Sequence, residues 1–271
     1  MRGTSSTSFA EVLQRAEAAF AADGTAPETA AEELFSVADA IDSSNQLVRT
    51  LSDAGRPAAV KEQTVRSLFD GRVAPRTLEL TLEIVQRRWS EQEDILDALE
   101  LLGVSTLLDL ALREGVLEQV EGELFEISRL IDGSGDLTAA LDGARDEPAR
   151  RAALLRRLLE GRAHPLALAI AARAVGRRSA LKPARRVEEF ARFAADRRRR
   201  AFAEVSSAVP LSEAQQTRLA AVLAGIYGRE VQLNLDVDPD VVGGLRIQVG
   251  DDLYDATVLA RLSRARSTLV A

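Results

Sequence analysis

Apolar residues recur at three- and four-residue intervals through most of the first 200 positions, the spacing of one face of an α-helix. Phe9, Val12, Leu13, Ala16 and Phe20 mark the first such face. Ser8 and Glu11 read as a capping box at its start, and Asp23-Gly24 as its end. Thr25 and Glu28 read as a second capping box, with Pro27 tolerated in the first turn, ahead of an apolar face of Leu34, Val37, Ala38 and Ile41. After about residue 200 the period shortens. Residues 201–208 alternate partially, as in a strand. Ser212 and Gln215 then open a helix whose apolar face is Leu219, Val222, Leu223 and Ile226, with Gly228 as its stop. Val231, Leu233, Leu235 and Val237 alternate strictly and predict a half-buried strand. A turn region with Pro239 and Gly243-Gly244 leads to a second alternating run, Leu245–Val249. Residues 255–269 return to helical spacing, with Val258, Leu262 and Ala265 inward. The pattern predicts a mainly α chain ending in a small α/β module.

The helical part repeats itself. Glu33-Leu34-Phe35 recurs as Glu123-Leu124-Phe125, and Ile41-Asp42 as Ile131-Asp132. Gly71-Arg72, Pro75 and Leu78 recur as Gly161-Arg162, Pro165 and Leu168, and Arg87-Arg88 as Arg177-Arg178. One offset of about 90 residues aligns residues 33–88 without a gap, with about 19 of roughly 56 positions identical. Chance likeness between Ala/Leu-rich helices does not place glycine and proline at a common offset. A period that long is a duplicated domain rather than a solenoid unit. Residues 91–113 join the copies with apolar residues at helical spacing, interrupted by Gly103, and with no linker composition. Three divisions follow: 1–102 a first helical bundle, 103–200 a second, and 201–271 the α/β module.

Composition narrows the chemistry. The 271 residues include no cysteine, one histidine and one tryptophan, and aromatics make up 4%. Disulfide frameworks and thiolate metal sites are excluded. No stretch reaches the roughly 18 consecutive apolar residues of a spanning helix, and MRGTSSTSF lacks a signal-peptide apolar region, so the chain is expected in the cytoplasm. His164 precedes Pro165 and aligns with Ala74, which suits a loop residue better than a general base without orienting partners. GGLRIQVG (243–250) has neither the Lys-Ser/Thr of a phosphate loop nor dinucleotide spacing, and reads as a turn between strands. Residues 145–202 hold 17 basic against 6 acidic side chains, including Arg197–Arg200, in a chain of net charge −7. That asymmetry suits a solvated helical face or a docking surface for an acidic partner; a nucleic-acid site is the rival. Trp89 suits either an interface anchor or packing inside the first bundle.

At VDPDVVGGLRIQVGDDLYDATVLARL (237–262) the chain resembles the delta subunits of F-type ATP synthases, homologous to the oligomycin-sensitivity-conferring protein of mitochondria. The resemblance is carried by Gly243, Gly244, Gly250, Asp255, Arg261 and Leu262 among the alternating apolar positions. The chain departs from the family's usual Gly-Ser after the aspartate, having Ala256-Thr257. LALREGVLEQVEGELFEI (110–127) and VEEFARFAADRRRRAFAEVSSAVPLS (187–212) extend the likeness upstream. The second copy plus the module thus resembles an ordinary member, and the first copy is an extra bundle, as in the long form expected of actinobacteria. The resemblance implies a non-catalytic stator subunit without cofactor or metal. It implies that a helical bundle receives N-terminal segments of alpha subunits and that the C-terminal module meets b-type stalk subunits. It also implies a peripheral place at the cytoplasmic face of the cell membrane, reached only through the complex. A basic helical nucleic-acid-binding or adaptor protein is the alternative.

Overall fold

Five helices open the chain: α1 (Thr4–Asp23), α2 (Pro27–Asp42), α3 (Asn45–Ser52), α4 (Ala58–Phe69) and α5 (Pro75–Gln86). Five more repeat them with the same lengths: α6 (Asp94–Arg113), α7 (Leu117–Asp132), α8 (Gly135–Asp142), α9 (Pro148–Leu159) and α10 (Pro165–Gly176). Each begins and ends 90 positions after its counterpart (27 to 117, 86 to 176). The following helix, α11, spans Pro183–Ala201. This computed structural model describes residues 3–23, 26–142, 148–177, 181–227, 231–238, 241, 243–250, 252–255 and 257, without the side chains of 17–23, 200–202 and 232. Phe20's side chain, Gly24, Thr25, Gly228, Pro239, Val258, Arg261, Leu262 and Ala265 therefore lie outside the described residues.

The matched sequence positions are matched hydrogen bonds. Gly71 and Gly161 take φ of 70° and 71°, left-handed turns that a side chain would strain. Pro75 and Pro165 then start α5 and α10, where the missing N–H costs nothing. The repeated glutamate of each Glu-Leu-Phe triplet reaches across to that helix start. Ala74 N–H donates to both Glu33 oxygens at 3.0 and 3.1 Å, and His164 N–H donates to Glu123 Oε2 at 2.6 Å. Ser44 Oγ accepts from Leu47 N–H, and Ser134 Oγ from Leu137 N–H, capping α3 and α8. Lys61 donates to the Val85 carbonyl and Arg151 to the Arg177 carbonyl, each tying the start of the fourth helix of its repeat to the end of the fifth.

Helix α6 belongs to both repeats. Ile95, Leu99 and Leu102 pack into the core around Leu34, Ile41, Leu51 and Ile84. Val104, Leu107, Leu108 and Ala111 pack into the core around Leu124, Ile131, Leu155 and Phe190. A helix buried on most sides is apolar on most sides, which explains why apolar residues fall all around 95–112, with Asp97 and Glu100 held in ion pairs. Gly103 sits between the two sets and does not interrupt the helix; a Cβ there would lie 2.5 Å from Phe35 Cε1. The division drawn at 102/103 falls inside this shared helix.

Two helix starts differ from the sequence reading. Helix α1 begins four residues before Ser8, whose hydroxyl donates instead to the Arg88 carbonyl at 2.9 Å. Helix α2 is capped by Ala26, with no side-chain cap bond and Pro27 in the first turn.

The chain divides into two compact units, Met1–Ala194 and Ala195–Ala271. The second holds a four-stranded sheet of order β2-β1-β3-β4, with β1 (Phe202–Ser207), β2 (Gln232–Val237), β3 (Leu245–Val249) and β4 (Asp252–Asp255). β1 and β2 run parallel, joined through α12 (Glu213–Tyr227), because parallel neighbours require a crossover. β3 lies antiparallel to both β1 and β4. The Ser212–Gln215 capping box forms as read: Ser212 N–H donates to Gln215 Oε1 and Gln215 N–H to Ser212 Oγ. Ala203, Val205, Leu223, Val231 and Val249 make the core. Val222 and Ile226 do not join it; they are 51% and 52% exposed, so only part of the expected α12 face is inward. On edge strand β2 the inward alternation fades from buried Val231 to exposed Leu235 and Val237. Asp255 ends strand β4 rather than starting a helix.

Candidate functional site

A groove of about 940 Å³ opens in the helical unit, with α2 of the first repeat on one side and α9 and α10 of the second on the other. The α9–α10 side is lined by small residues, Ala149, Ala152, Ala169, Ala172 and Gly176, beside Leu166 and two prolines, with Arg156, Arg173 and Arg177 among them. Small side chains let another backbone approach closely, and none offers a competing polar group. The α2 side presents Glu28, Glu32, Phe35, Asp39 and Asp42, spaced at four and three residues and therefore on one helix face.

The corresponding face of the first repeat is chemically different. Where the second repeat has Ala152, Leu166, Ala169, Arg173 and Gly176, the first has Glu62, Arg76, Glu79, Glu83 and Gln86. These are tied into surface pairs: Arg66–Glu62 at 2.8 Å, Arg76–Glu79 at 2.6 Å and Arg87–Glu83 at 2.7 Å. An apolar helix laid on this face would have to desolvate those charges.

Beneath the groove lies an ionic cluster that joins three parts of the unit. Glu100 of α6 is 0% exposed and accepts from Arg173 Nε at 3.0 Å, from Arg177 Nη1 at 2.6 Å and from Arg186 Nη2. Asp97, one turn earlier, accepts from Arg177 at 2.7 Å and Arg186 at 3.3 Å. Arg173 reaches Asp39 of α2 at 2.8 Å and lies 4.8 Å over the Phe35 ring. Burial pushes the Asp97 carboxyl up, but the Arg186 and Arg177 guanidiniums outweigh it and hold the group below its usual value. Charges this deep need such pairing.

Other sequence candidates resolve into structural roles. His164 Nδ1 accepts from Leu166 N–H at 3.3 Å, making it the cap of α10. Trp89 is buried in the first core and donates to the Ile84 carbonyl at 2.8 Å. Three arginines of the basic stretch, 173, 177 and 186, are internal ion-pair partners rather than a solvated face. Arg197 is buried and Arg199 pairs with Asp196. Gly243, Gly244 and Gly250 take positive φ of 67°, 85° and 59° at the entry to β3 and the turn into β4. Asp255 Oδ1 accepts from Thr257 N–H at 3.0 Å and Thr257 Oγ1 at 2.6 Å. Sequence reading missed the Glu100 cluster and the groove. Among the described residues, no group of three or more His, Asp or Glu is placed to hold a metal, and no helix is long and apolar enough to cross a membrane.

Residues 104–269, from mid-α6 onward, match the family described as ATP synthase delta (OSCP) subunit. A protein of Kineococcus radiotolerans named ATP synthase subunit delta is 39% identical over 267 residues, covering 98% of this chain and 97% of the relative. One of Beutenbergia cavernae is 39% identical over 269 residues, covering 99% of each. One of Thermobifida fusca is 38% identical over 272 residues, again covering 99% of each. These alignments run through the first repeat as well as the second. The chain belongs to the ATP synthase delta (OSCP) subunit family, and is a peripheral, non-catalytic stator component of the F-type ATP synthase.

Proposed function

We propose that the second helical repeat receives the N-terminal helical segment of an alpha subunit in the groove against α9 and α10. The C-terminal module, residues 201–271, meets the ends of b-type stalk subunits. The chain so placed sits at the cytoplasmic face of the cell membrane and holds the catalytic head against rotor torque. In this reading 1–102, 103–200 and 201–271 divide the labour. Gly243, Gly244, Gly250 and Asp255 shape the turns of the stalk-side module, to which Arg261 and Leu262 also belong. The mechanism is load transmission through several ordinary interfaces of about 1,600 Å² each, none of which must be strong alone. A continuous shared helix, α6, suits that work because it leaves no flexible tether between the repeats.

One observation carries the assignment to the second repeat. The two repeats share helices and caps, yet only the second lines the α9–α10 face with alanine and glycine; the first fills the same positions with paired charges. A photoreactive side chain placed at Ala169 and, separately, at Glu79 in the assembled ATP synthase tests it. Crosslinks to the alpha N-terminus are expected from 169 and not from 79. Crosslinks from 79 alone would reverse the assignment. A third probe at exposed Leu253 is expected to capture a b-type subunit.

A further inference from the structure

The wall of the groove opposite the small residues comes from the extra repeat, and it is acidic. Glu28, Glu32, Asp39 and Asp42 lie along one face of α2, spanning nearly all of its 16 residues. That is a groove of about 21 Å, or four helical turns. Asp39 is engaged by Arg173. Among the described residues Glu28, Glu32 and Asp42 form no salt bridge, and Arg156 on the facing wall forms none either. The counterpart helix α7 carries Gly122 and Arg129 where α2 has Glu32 and Asp39, so half of this acidity is peculiar to α2. Of the cations lining the groove, Arg177 is drawn inward onto Glu100, Arg173 is shared between Glu100 and Asp39, and Arg156 pairs with none of the other three α2 carboxylates.

We infer that the groove selects an amphipathic helix of about four turns with a basic edge. The small side of the groove takes its apolar face, and the α2 carboxylates take its lysines or arginines. The first repeat then acts as the selecting wall of the receptor that the second repeat builds, rather than as a second receptor. This inference rests on the groove being a helix-docking site, as proposed above.

The experiment uses the full chain and two synthetic 16-residue helices that share one apolar face, one edged with lysine and the other with glutamate. Binding is followed by fluorescence anisotropy to wild type, to Glu28→Lys/Glu32→Lys/Asp42→Lys and to the corresponding Gln triple variant. All three positions are on the groove face and outside the cores, and thermal melts confirm folding of each variant. The lysine-edged helix is expected to bind wild type, to lose about tenfold or more in affinity with the Lys triple variant, and to lose less with Gln. The glutamate-edged helix is expected to gain on the Lys triple variant. Added salt is expected to weaken the first pairing. Equal binding of both helices to wild type, or indifference to the triple reversal, overturns the inference. If the helices discriminate by charge while the Ala169 crosslink to alpha fails, the charge rule stands and the identity of the occupant falls. If the crosslink succeeds without charge discrimination, the reverse holds.

Discussion

The two helical repeats are one scaffold used twice, and their differences lie where the scaffold leaves freedom. Glu33 and Glu123, Ser44 and Ser134, Lys61 and Arg151, Gly71 and Gly161 do the same local work in each copy. These positions satisfy backbone groups at helix ends, and a helix end left without partners is costly. The outward faces of α4–α5 and α9–α10 carry no such duty, and they differ: paired charges fill the first, and alanine and glycine line much of the second. The arginine after the fifth helix shows the same drift in charge pairing. Arg87 pairs with half-exposed Glu11 and with Glu83, whereas Arg177 pairs with fully buried Glu100 and with Asp97. Duplication thus preserved the joints and released the surfaces.

The sharpest way to break this comparison is to remove the carboxylate from each arginine. Glu100→Ala removes the buried carboxylate shared by Arg173, Arg177 and Arg186, leaving Asp39 and Asp97 to hold three arginines, and is expected to cost about 3–5 kcal/mol in urea unfolding. Glu11→Ala, at the first-repeat arginine, is expected to cost about 1 kcal/mol or less. Equal losses would mean that the Glu100 cluster is not the brace between the repeats. The same cluster sets an acid limit. Asp97 titrates below its ordinary value in the folded chain, so its contribution is full above the unfolded carboxylate value. It is lost as pH falls through the lower, folded value.

Gly103→Ala tests whether the repeats meet through a close approach. The new methyl meets the Phe35 ring, which must shift away from the junction and from Arg173. A loss of about 1–3 kcal/mol is expected, although alanine is the better helix former. A gain in stability would show that α2 and α6 are loosely seated there.

The joints of the scaffold were legible in the sequence because each is a local pattern seen twice. Gly71, Pro75 and their partners marked a stop and a restart, and strands β2 and β3 announced themselves by alternation. The Glu100 cluster was not legible, because its arginines lie 73 to 86 positions away and look like a surface charge run. The acidic face of α2 carried no signal for a similar reason: only the packing of a second repeat beside it turns it into a wall. Ser8 misled because Ser-x-x-Glu also occurs inside helices, where the hydroxyl finds a carbonyl on another segment. Strand β4 is only four residues long, too short for alternation to separate it from the start of a helix.

The caps should differ in proportion to their bonds. Glu33 accepts from Ala74 N–H and also from Thr77 Oγ1 at 2.5 Å, both at the start of α5, while Glu123 makes one such bond across, from His164 N–H, and its other, from exposed Gln119 Nε2 at 2.8 Å, stays within α7. Glu33→Ala is expected to cost about 2 kcal/mol and Glu123→Ala about 1 kcal/mol, measured as shifts in urea midpoint. The order matters more than the sizes. A larger loss at Glu123 would place the main joint in the second repeat instead of the first.

The smallest expected effect separates the copies by pH alone. Lys61 and Arg151 stand at equivalent positions and hold carbonyls two positions apart in register at the end of the fifth helix, Val85 and Arg177, but only lysine loses its proton in an accessible range. Burial lowers the Lys61 value against a weaker opposing pull from Asp53. The folded chain therefore releases this proton before the unfolded chain does. Between the lowered value and the ordinary 10.5, the unfolded state binds more protons, so stability contributed by this site rises with pH. Tyr227 works the other way, since burial and its bonds to Tyr254 and Asp252 raise its value and favour the protonated folded form. The comparison must therefore be made by difference. Urea midpoints of wild type and Lys61→Met are expected to converge as pH rises from 8 toward 10.5 if removing the Val85 bond stabilises the chain overall, and to diverge if it destabilises it. In either case wild type gains relative to the variant. Parallel curves would mean that Lys61 is solvated in the folded chain, and that the first repeat's joint is looser than its arginine counterpart.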